Sequence, residues 1–305
     1  MKVAIIDLGT NTFNLLIAEV LNNNKFKKIY ENKLPVKLGE GGINKNHIVP
    51  SAFKRGIKAL QRYRKIIKKY EAKKIIALAT SAIREASNGN DFIKAAKKQA
   101  GISVKIISGN KEAELIYNGI CEAVRLNNHK SLIMDIGGGS TEFIIANKNK
   151  IFWKKSFLLG AARLLERIKP SDSITDIQIK RLESYLNKEL LTLYKAVRKY
   201  PVVELIGSSG SFESLAEMIA YRFYSPEILK GKTEYDFDLD DCYEIYKLLV
   251  KSTKAERLKM KGLVKMRVDM IVISSIFVNL IIRKLKIKKM RLSTYSLKEG
   301  VISTI

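Results

Sequence analysis

Two stretches of the chain share one order of apolar and polar positions. Residues 6–18 read I-D-L-G-T-N-T-F-N-L-L-I-A, and residues 134–146 read M-D-I-G-G-G-S-T-E-F-I-I-A. In each, an apolar run reaches an Asp, a few Gly and small hydroxyl residues follow, and a second apolar run leaves. Asp7 aligns with Asp135, Gly9 with Gly137, Thr12 with Ser140 and Ala18 with Ala146, an offset of 128 residues. Short apolar runs bounded in this way predict strands joined by a tight turn. Two copies predict two related lobes facing each other across a cleft.

The flanking pattern fits. Residues 2–7 and 14–20 are the strand pair of the first turn, and 25–39 hold a third strand. In 51–70, Phe53, Ile57, Leu60, Tyr63, Ile67 and Tyr70 recur at helical spacing, with Lys and Arg on the other face. A strand at 75–79, a helix at 91–100, a strand at 104–107 and a helix at 112–126 follow. The order then restarts with strands at 132–136, 143–147 and 151–157. Helices at 161–168 and 177–198 lead to a strand at 202–206 that ends in G-S-S-G-S. Helices at 212–220, 240–250, 254–261 and 267–283, a strand at 290–293 and a short helix at 297–305 complete the chain. Three strands followed by alternating helices and strands, twice over, is a mixed-sheet α/β pattern. The expected domains are 1–127 and 128–305, each with a five-stranded sheet and flanking helices, the last helix able to pack back on the first domain. The seam falls in the polar R-L-N-N-H-K at 125–130.

Composition narrows the class. Of 305 residues, 46% are hydrophobic and 28% charged, which is a folded, globular balance. The longest apolar run, 270–282, is about 13 residues where a bilayer needs roughly 20. The opening MKVAIIDLG has an Asp inside its first apolar run and lacks the features of a signal peptide. Cys121 and Cys242 make no disulfide framework, and with only His47 and His129 beside them no zinc site is expected. A cytoplasmic protein without a membrane partner is the expectation. The net charge of +26 leaves two readings open: Lys-rich bias that solvates helix faces, or attraction of a polyanion. Nucleic acid is not expected, because aromatic residues are not interleaved with the basic runs.

The two turns carry the candidate chemistry. Gly9 lets the backbone bend close to an anion, and Thr10, Asn11 and Thr12 can donate to it. Gly137, Gly138 and Gly139 open the second turn to phosphate oxygens, and Ser140 and Thr141 supply hydroxyls. Asp135 and Glu142, with Asp7 at the end of the first strand, are hard oxygen ligands suited to Mg²⁺, which takes one or two carboxylates plus water and phosphate. Asn14 stands where the second copy has Glu142, so the second lobe is expected to hold most of the metal. Arg84, after a buried strand, can fork onto a phosphate or pair with Glu85. Glu112, at a helix start, can align or deprotonate a water, or merely decorate the helix dipole. Gly207, Gly210 and Ser211 form a further turn before a helix, which Ser211 could simply cap. Arg267 and Asp269 open an apolar helix, where ion pairing or capping is the expected role. There is no G-x-x-x-x-G-K-[ST] loop and no Ser–His–Asp arrangement.

Taken in order, D-L-G-T-N-T-F-N-L-L from Asp7, T-S-A-I-R-E-A-S-N from Thr80, S-G-N-K-E-A-E-L-I-Y-N-G from Ser108, D-I-G-G-G-S-T-E from Asp135 and G-S-S-G-S-F-E-S-L-A from Gly207 resemble the exopolyphosphatase and guanosine pentaphosphate phosphatase (Ppx/GppA) family. R-V-D from Arg267 and L-K-E-G from Leu297 extend the likeness over essentially the whole chain. The resemblance implies two ribonuclease H-like domains of the actin, heat-shock ATPase and sugar kinase superfamily. It implies Glu112 as the catalytic base, Arg84 as a phosphate ligand and Mg²⁺, with Mn²⁺ an acceptable substitute. It also implies a polyphosphate or guanosine penta- or tetraphosphate ligand and release of the terminal phosphate. A non-catalytic phosphate or alarmone sensor is the reading from another class. The family often has Arg where this chain has Glu114, so one substrate contact is expected to be absent or supplied by a nearby Lys. The chain resembles the family's short members, for which short polyphosphates or nucleotides are credible substrates. Homodimers occur among relatives, although nothing in the sequence specifies an interface.

Overall fold

The computed structural model describes residues 1–21 and 26–305. The first sheet comprises β1 (Lys2–Leu8), β2 (Thr12–Val20), β3 (Phe26–Pro35), β4 (Lys74–Ala79) and β5 (Val104–Ile106), in the order β3-β2-β1-β4-β5. β1, β2 and β3 pair antiparallel, and β4 and β5 run parallel to β1. The third strand spans less than the predicted 25–39, whose first residue lies outside the described residues. Helices α1 (Pro50–Lys69), α2 (Ser81–Arg84) and α3 (Gly89–Ala100) follow the strands, and α4 (Gly109–Ala123) closes the lobe.

The second sheet repeats the order with β8 (Ile151–Phe157), β7 (Thr141–Ala146), β6 (Ser131–Ile136), β9 (Glu204–Ser208) and β11 (Met290–Ser293). It has a sixth strand that the sequence reading did not contain. This β10 (Glu234–Phe237) pairs antiparallel with β11 at the sheet edge. Its four residues, with two acids, are too few to stand out as a strand pattern. The lobe's helices are α5 (Ala161–Ile168), α6 (Asp176–Glu189), α7 (Leu191–Lys199), α8 (Ser209–Phe223), α9 (Leu239–Lys251), α10 (Lys254–Arg257) and α11 (Ile271–Leu285). The single helix predicted at 177–198 is divided at buried Leu190, with no Gly or Pro to announce the break. The helix predicted from 267 starts four residues later, after a 3-10 turn at Lys265–Arg267.

Three apolar clusters organise these layers. One packs α1 and α3 on the first sheet, and one packs α5–α9 and α11 on the second. The third lies between the sheets, where Val3, Ile5, Leu16, Ile133, Ile144 and Ile206 meet α4 and the last helix, α12 (Leu297–Ile302). Each of those aliphatic side chains contributes about 1.5–3 kcal/mol when fully buried. α4 and α12 cross at glycines. A Cβ on Gly300 would lie 1.7 Å from the Leu115 carbonyl oxygen, and one on Gly119 would lie 2.0 Å from that of Ser296. This backbone contact fixes α4, which carries Glu112, against the segment that enters from the second sheet.

Candidate functional site

Both turns close with the same hydrogen bond. The Gly9 N–H donates to the Thr12 carbonyl at 3.1 Å, and the Gly137 N–H donates to the Ser140 carbonyl at 3.0 Å. Antiparallel register sets Asp7 opposite Asn14 and Asp135 opposite Glu142. Because side chains alternate along a strand, each Asp and its cross-strand partner share the face that opens on the cleft. The turns also touch. A Cβ on Gly138 would stand 3.1 Å from the Asn11 nitrogen, and one on Gly139 would stand 2.3 Å from Thr10 Oγ1 and 2.7 Å from Ser81 Oγ. Glycine is needed there for close approach of the lobes.

Asp7, Gly9, Thr10, Asn11, Thr12, Asp135, Gly137, Gly138, Gly139, Ser140, Glu142 and Glu112 thus line one cleft, joined by Gly210 and Ser211. Thr10 Oγ1 and Ser81 Oγ are buried there with no protein partner. Unpaired buried hydroxyls are costly, about 1–3 kcal/mol each, and an incoming oxyanion satisfies them.

The acids set the electrostatics. Burial, reinforced by the charge of Asp135, lifts Glu142 from 4.5 to about 7, against donors from Ser156 (2.6 Å) and Ser140. Burial lifts Asp7 from 3.8 to about 6, opposed by the Asn14 amide at 2.8 Å and by Lys298. Glu112 is pushed well above the carboxylate range by burial and then by Glu142, while Arg84 pulls it back. Asp135 accepts from three serine hydroxyls, Ser208 (2.6 Å), Ser209 (2.8 Å) and Ser296 (2.6 Å). Ser209 does so from a left-handed backbone, φ 68°, a strained conformation for a residue with a Cβ.

Such a donor set fits a divalent cation: buried carboxylates that raise one another's proton affinity gain from a nearby positive charge. Among the described residues no three acids converge closely enough to enclose an ion by themselves.

The basic groups differ in how they are held. Arg84 Nη1 donates to Glu112 Oε2 at 2.7 Å and to the Ile107 carbonyl at 3.2 Å, and its Nε reaches Glu85 at 2.9 Å. It stands behind the cleft rather than on its wall, occupied by two carboxylates. Arg163 crosses between the lobes, donating to the Gly139 carbonyl (2.9 Å) and the Ile43 carbonyl (2.8 Å). Lys33 pairs with Glu213 at 2.8 Å. Buried Lys298 lies between Glu31 (3.0 Å) and Glu299 (2.8 Å). The Arg267 guanidinium covers Gly210, where a Cβ would meet its Nη2.

Several expectations are corrected. Thr141 leaves the phosphate set: strand alternation turns it from the cleft, and its hydroxyl donates to the Leu159 carbonyl at 3.0 Å. Gly207 makes room for the Phe212 ring, which a Cβ would meet at 2.0 Å, and does not face the cleft. Ser211 does not cap its helix, since its hydroxyl donates to Ser274 at 3.0 Å. Asp269 has the ion-pairing role expected of it, with Lys254 at 2.7 Å, whereas Arg267 faces the cleft. Glu114 is held by Lys111 (2.6 Å) and Lys154 (3.1 Å). Not foreseen at all were the serines on Asp135 and the placement of Lys298. Ser208 and Ser209 sat inside a motif already quoted, and Ser296 immediately precedes another.

Comparison with known proteins bears on this geometry. The Ppx/GppA phosphatase family model matches residues 16–305. The crystal structure of an exopolyphosphatase from Cytophaga hutchinsonii superposes with a TM-score of 0.94 at 39% identity, covering 100% of this chain and 97% of that one. The Aquifex aeolicus PPX-GPPA enzyme superposes with a TM-score of 0.80 at 25% identity, covering 100% and 99%. A Haemophilus influenzae protein provisionally named an exopolyphosphatase is 27% identical over 309 aligned positions, 100% of this chain and 91% of that one. A bifunctional 3-dehydroquinate synthase/phosphatase of Fusobacterium nucleatum is 44% identical over 172 residues, 54% of this chain, which spans only 26% of that longer protein. With two duplicated α/β lobes, an anion-ready cleft between them and a family match over nearly its whole length, the chain belongs to the Ppx/GppA phosphatases.

Proposed function

We propose that this protein is an exopolyphosphatase that releases inorganic phosphate from the end of a linear phosphoanhydride, with polyphosphate as its substrate and short-chain polyphosphate held by the cleft alone. The observation that carries the reading is the convergence of both glycine turns, two unpaired hydroxyls and the Glu112 carboxylate on one cleft. The likeness to an enzyme named exopolyphosphatase supports the choice of substrate.

The terminal phosphate would lie between the two turns, taking backbone N–H groups and the hydroxyls of Thr10 and Ser81. Asp135 and Glu142 would hold Mg²⁺, which when bound supplies charge neutralisation at the phosphate oxygens. Arg84 leaves Glu112 to fork onto the phosphate, so the arriving substrate and the base compete for one guanidinium. Once released, the Glu112 carboxylate takes a proton from the attacking water. The water oxygen bonds to the terminal phosphorus, the bridging P–O bond breaks, and the shortened chain leaves as an oxyanion. General-base assistance of this kind contributes roughly 10²–10⁴ in rate.

Glu112→Gln is expected to retain substrate binding and lose phosphate release by that factor. Turnover within tenfold of the parent, measured as phosphate freed from tetrapolyphosphate with Mg²⁺, would reject the assignment. The same assay run on guanosine pentaphosphate decides between the family's two substrate classes.

A further inference from the structure

We propose that the exposed face of α1 is a second binding surface, an exosite that holds the distal part of a long polyphosphate chain while its end occupies the cleft. The inference rests on the phosphohydrolase reading above. It begins with charge segregation. α1 has eight cationic residues and no acid. α6 carries three acids beside three cations, and α9 three beside two. α7 and α11 also lack acids but carry only three and two cations, so what sets α1 apart is eight cations on one helix with no acid among them.

Five of the cations form a line. Lys54, Lys58, Arg62, Lys65 and Lys69 follow one another by three or four residues, which places them on one face along about 22 Å of helix. All five are exposed. Arg55 alone on this helix has an ion-pair partner among the described residues, Glu40 at 2.8 Å.

The N-terminal half of the helix is tied to the first glycine turn through Arg55, beside the row. Arg55 donates to the Val36 and Lys37 carbonyls at 2.9 Å. Those two residues in turn donate backbone N–H bonds to the Asn11 carbonyl in the first glycine turn. A chain leaving the turns therefore meets the N-terminal half of α1 and can follow its axis outward.

The chemistry of the face selects the ligand. The aromatics of α1 point inward: Tyr63 is fully buried and Phe53 packs on Phe92, and Tyr70, just after the helix, packs on Tyr30. No large apolar side chain of α1 is exposed. The face thus offers cations without a stacking platform for bases or an anchor for lipid, which suits an inorganic polyanion.

The test compares the parent with Lys58→Gln/Arg62→Gln/Lys65→Gln, all exposed helix positions where Gln is a good helix former. At about 0.7 counterions released per contact, five contacts give a salt slope near −3.5, or about a 100-fold loss of long-chain affinity over a fourfold rise in salt. The triple variant should lower that slope by about 2, and weaken binding of a long chain at low salt by about tenfold or more. Its kcat/KM on tripolyphosphate should match the parent. Equal long-chain affinity in parent and variant, or an equal loss on tripolyphosphate, would overturn the exosite. Binding of long-chain polyphosphate is measured also in the Glu112→Gln background, so the exosite stands or falls even if neither substrate is hydrolysed. Single-stranded DNA of matched charge, or anionic vesicles, competing as well as polyphosphate would overturn the assignment of ligand.

Discussion

The cleft carboxylates make the protein's stability depend on pH in a direction that can be checked. Consider Glu142→Gln. Folding raises the Glu142 carboxyl from 4.5 to about 7, chiefly by burial and then by the charge of Asp135. Between those values the folded chain binds more protons at this site than the unfolded chain does. Its contribution to stability is therefore full below about pH 4.5 and is lost as pH rises through 7. At 1.36 kcal/mol per unit, the ionised group costs the metal-free protein about 3 kcal/mol above neutrality. Glutamine keeps an oxygen that accepts from Ser156 and carries no charge, so it removes the cost and keeps the packing.

In chelator at about pH 8, the variant should therefore melt higher than the parent by roughly 5 °C, since about 2 °C per kcal/mol is typical of a chain this size. Below about pH 4.5 the two midpoints should converge. If Glu142 holds the ion as proposed, adding Mg²⁺ should raise the parent's midpoint at neutral pH and do much less for the variant. Phosphatase activity should fall in the same variant, so the stabilised protein is the poorer enzyme. Differential scanning calorimetry across the pH range reads all of this. A variant that melts below the parent at about pH 8, or that keeps the parent's slope between pH 4.5 and 7, would refute the account of repelling buried acids.

Two further outcomes follow from single contacts. Removing the cation beside the base, as in Arg84→Gln, should slow turnover and move the acid limb of the pH–rate profile upward by about 1–3 units, because Arg84 is what lowers the Glu112 carboxyl; an unmoved limb would separate the pair from catalysis. Gly300→Ala drives a methyl into the Leu115 carbonyl, 1.7 Å away, and should cost about 3 kcal/mol in urea denaturation, where a loss below 1 kcal/mol would show that the α4–α12 crossing can yield.

How much of this could be read from the sequence depends on how far apart the cooperating residues lie. The glycine turns were legible because every determinant sits within about ten residues: apolar run, Asp, glycines, second run. The repeated sheet order followed, since strands joined by crossover helices have few ways to return to one sheet. What stayed hidden is long-range. The serines that fix Asp135 come from 73, 74 and 161 residues away, and nothing local marks them as its partners. The ion pair between Arg84 and Glu112 spans 28 residues and depends on how α2 and α4 end against β5. Lys298 and Arg267 stand inside motifs, but a Lys or Arg in a local pattern looks the same whether it faces a cleft or pairs with a surface acid. The sixth strand and the break at Leu190 left no trace because short edge strands and buried kinks need neither Gly nor Pro.

The asymmetry between the copies was legible, and the structure gives it a physical meaning. In the first lobe the cross-strand partner of Asp7 is an amide that donates to it, so the Asp is satisfied locally and the turn beside it keeps its donors for an anion. In the second lobe the partner of Asp135 is a carboxylate, which cannot donate while ionised, so satisfaction of Asp135 passes to serines on β9, on α8 and before α12. One substitution between duplicates, Asn14 against Glu142, thus separates a turn whose Asp is satisfied by an amide from one in which two carboxylates face each other. It also recruits Ser296, the residue that starts the helix crossing α4. The carboxylate of Asp135 and Glu112 on α4 are thereby linked through a single turn of chain, and a shift of α12 would move both.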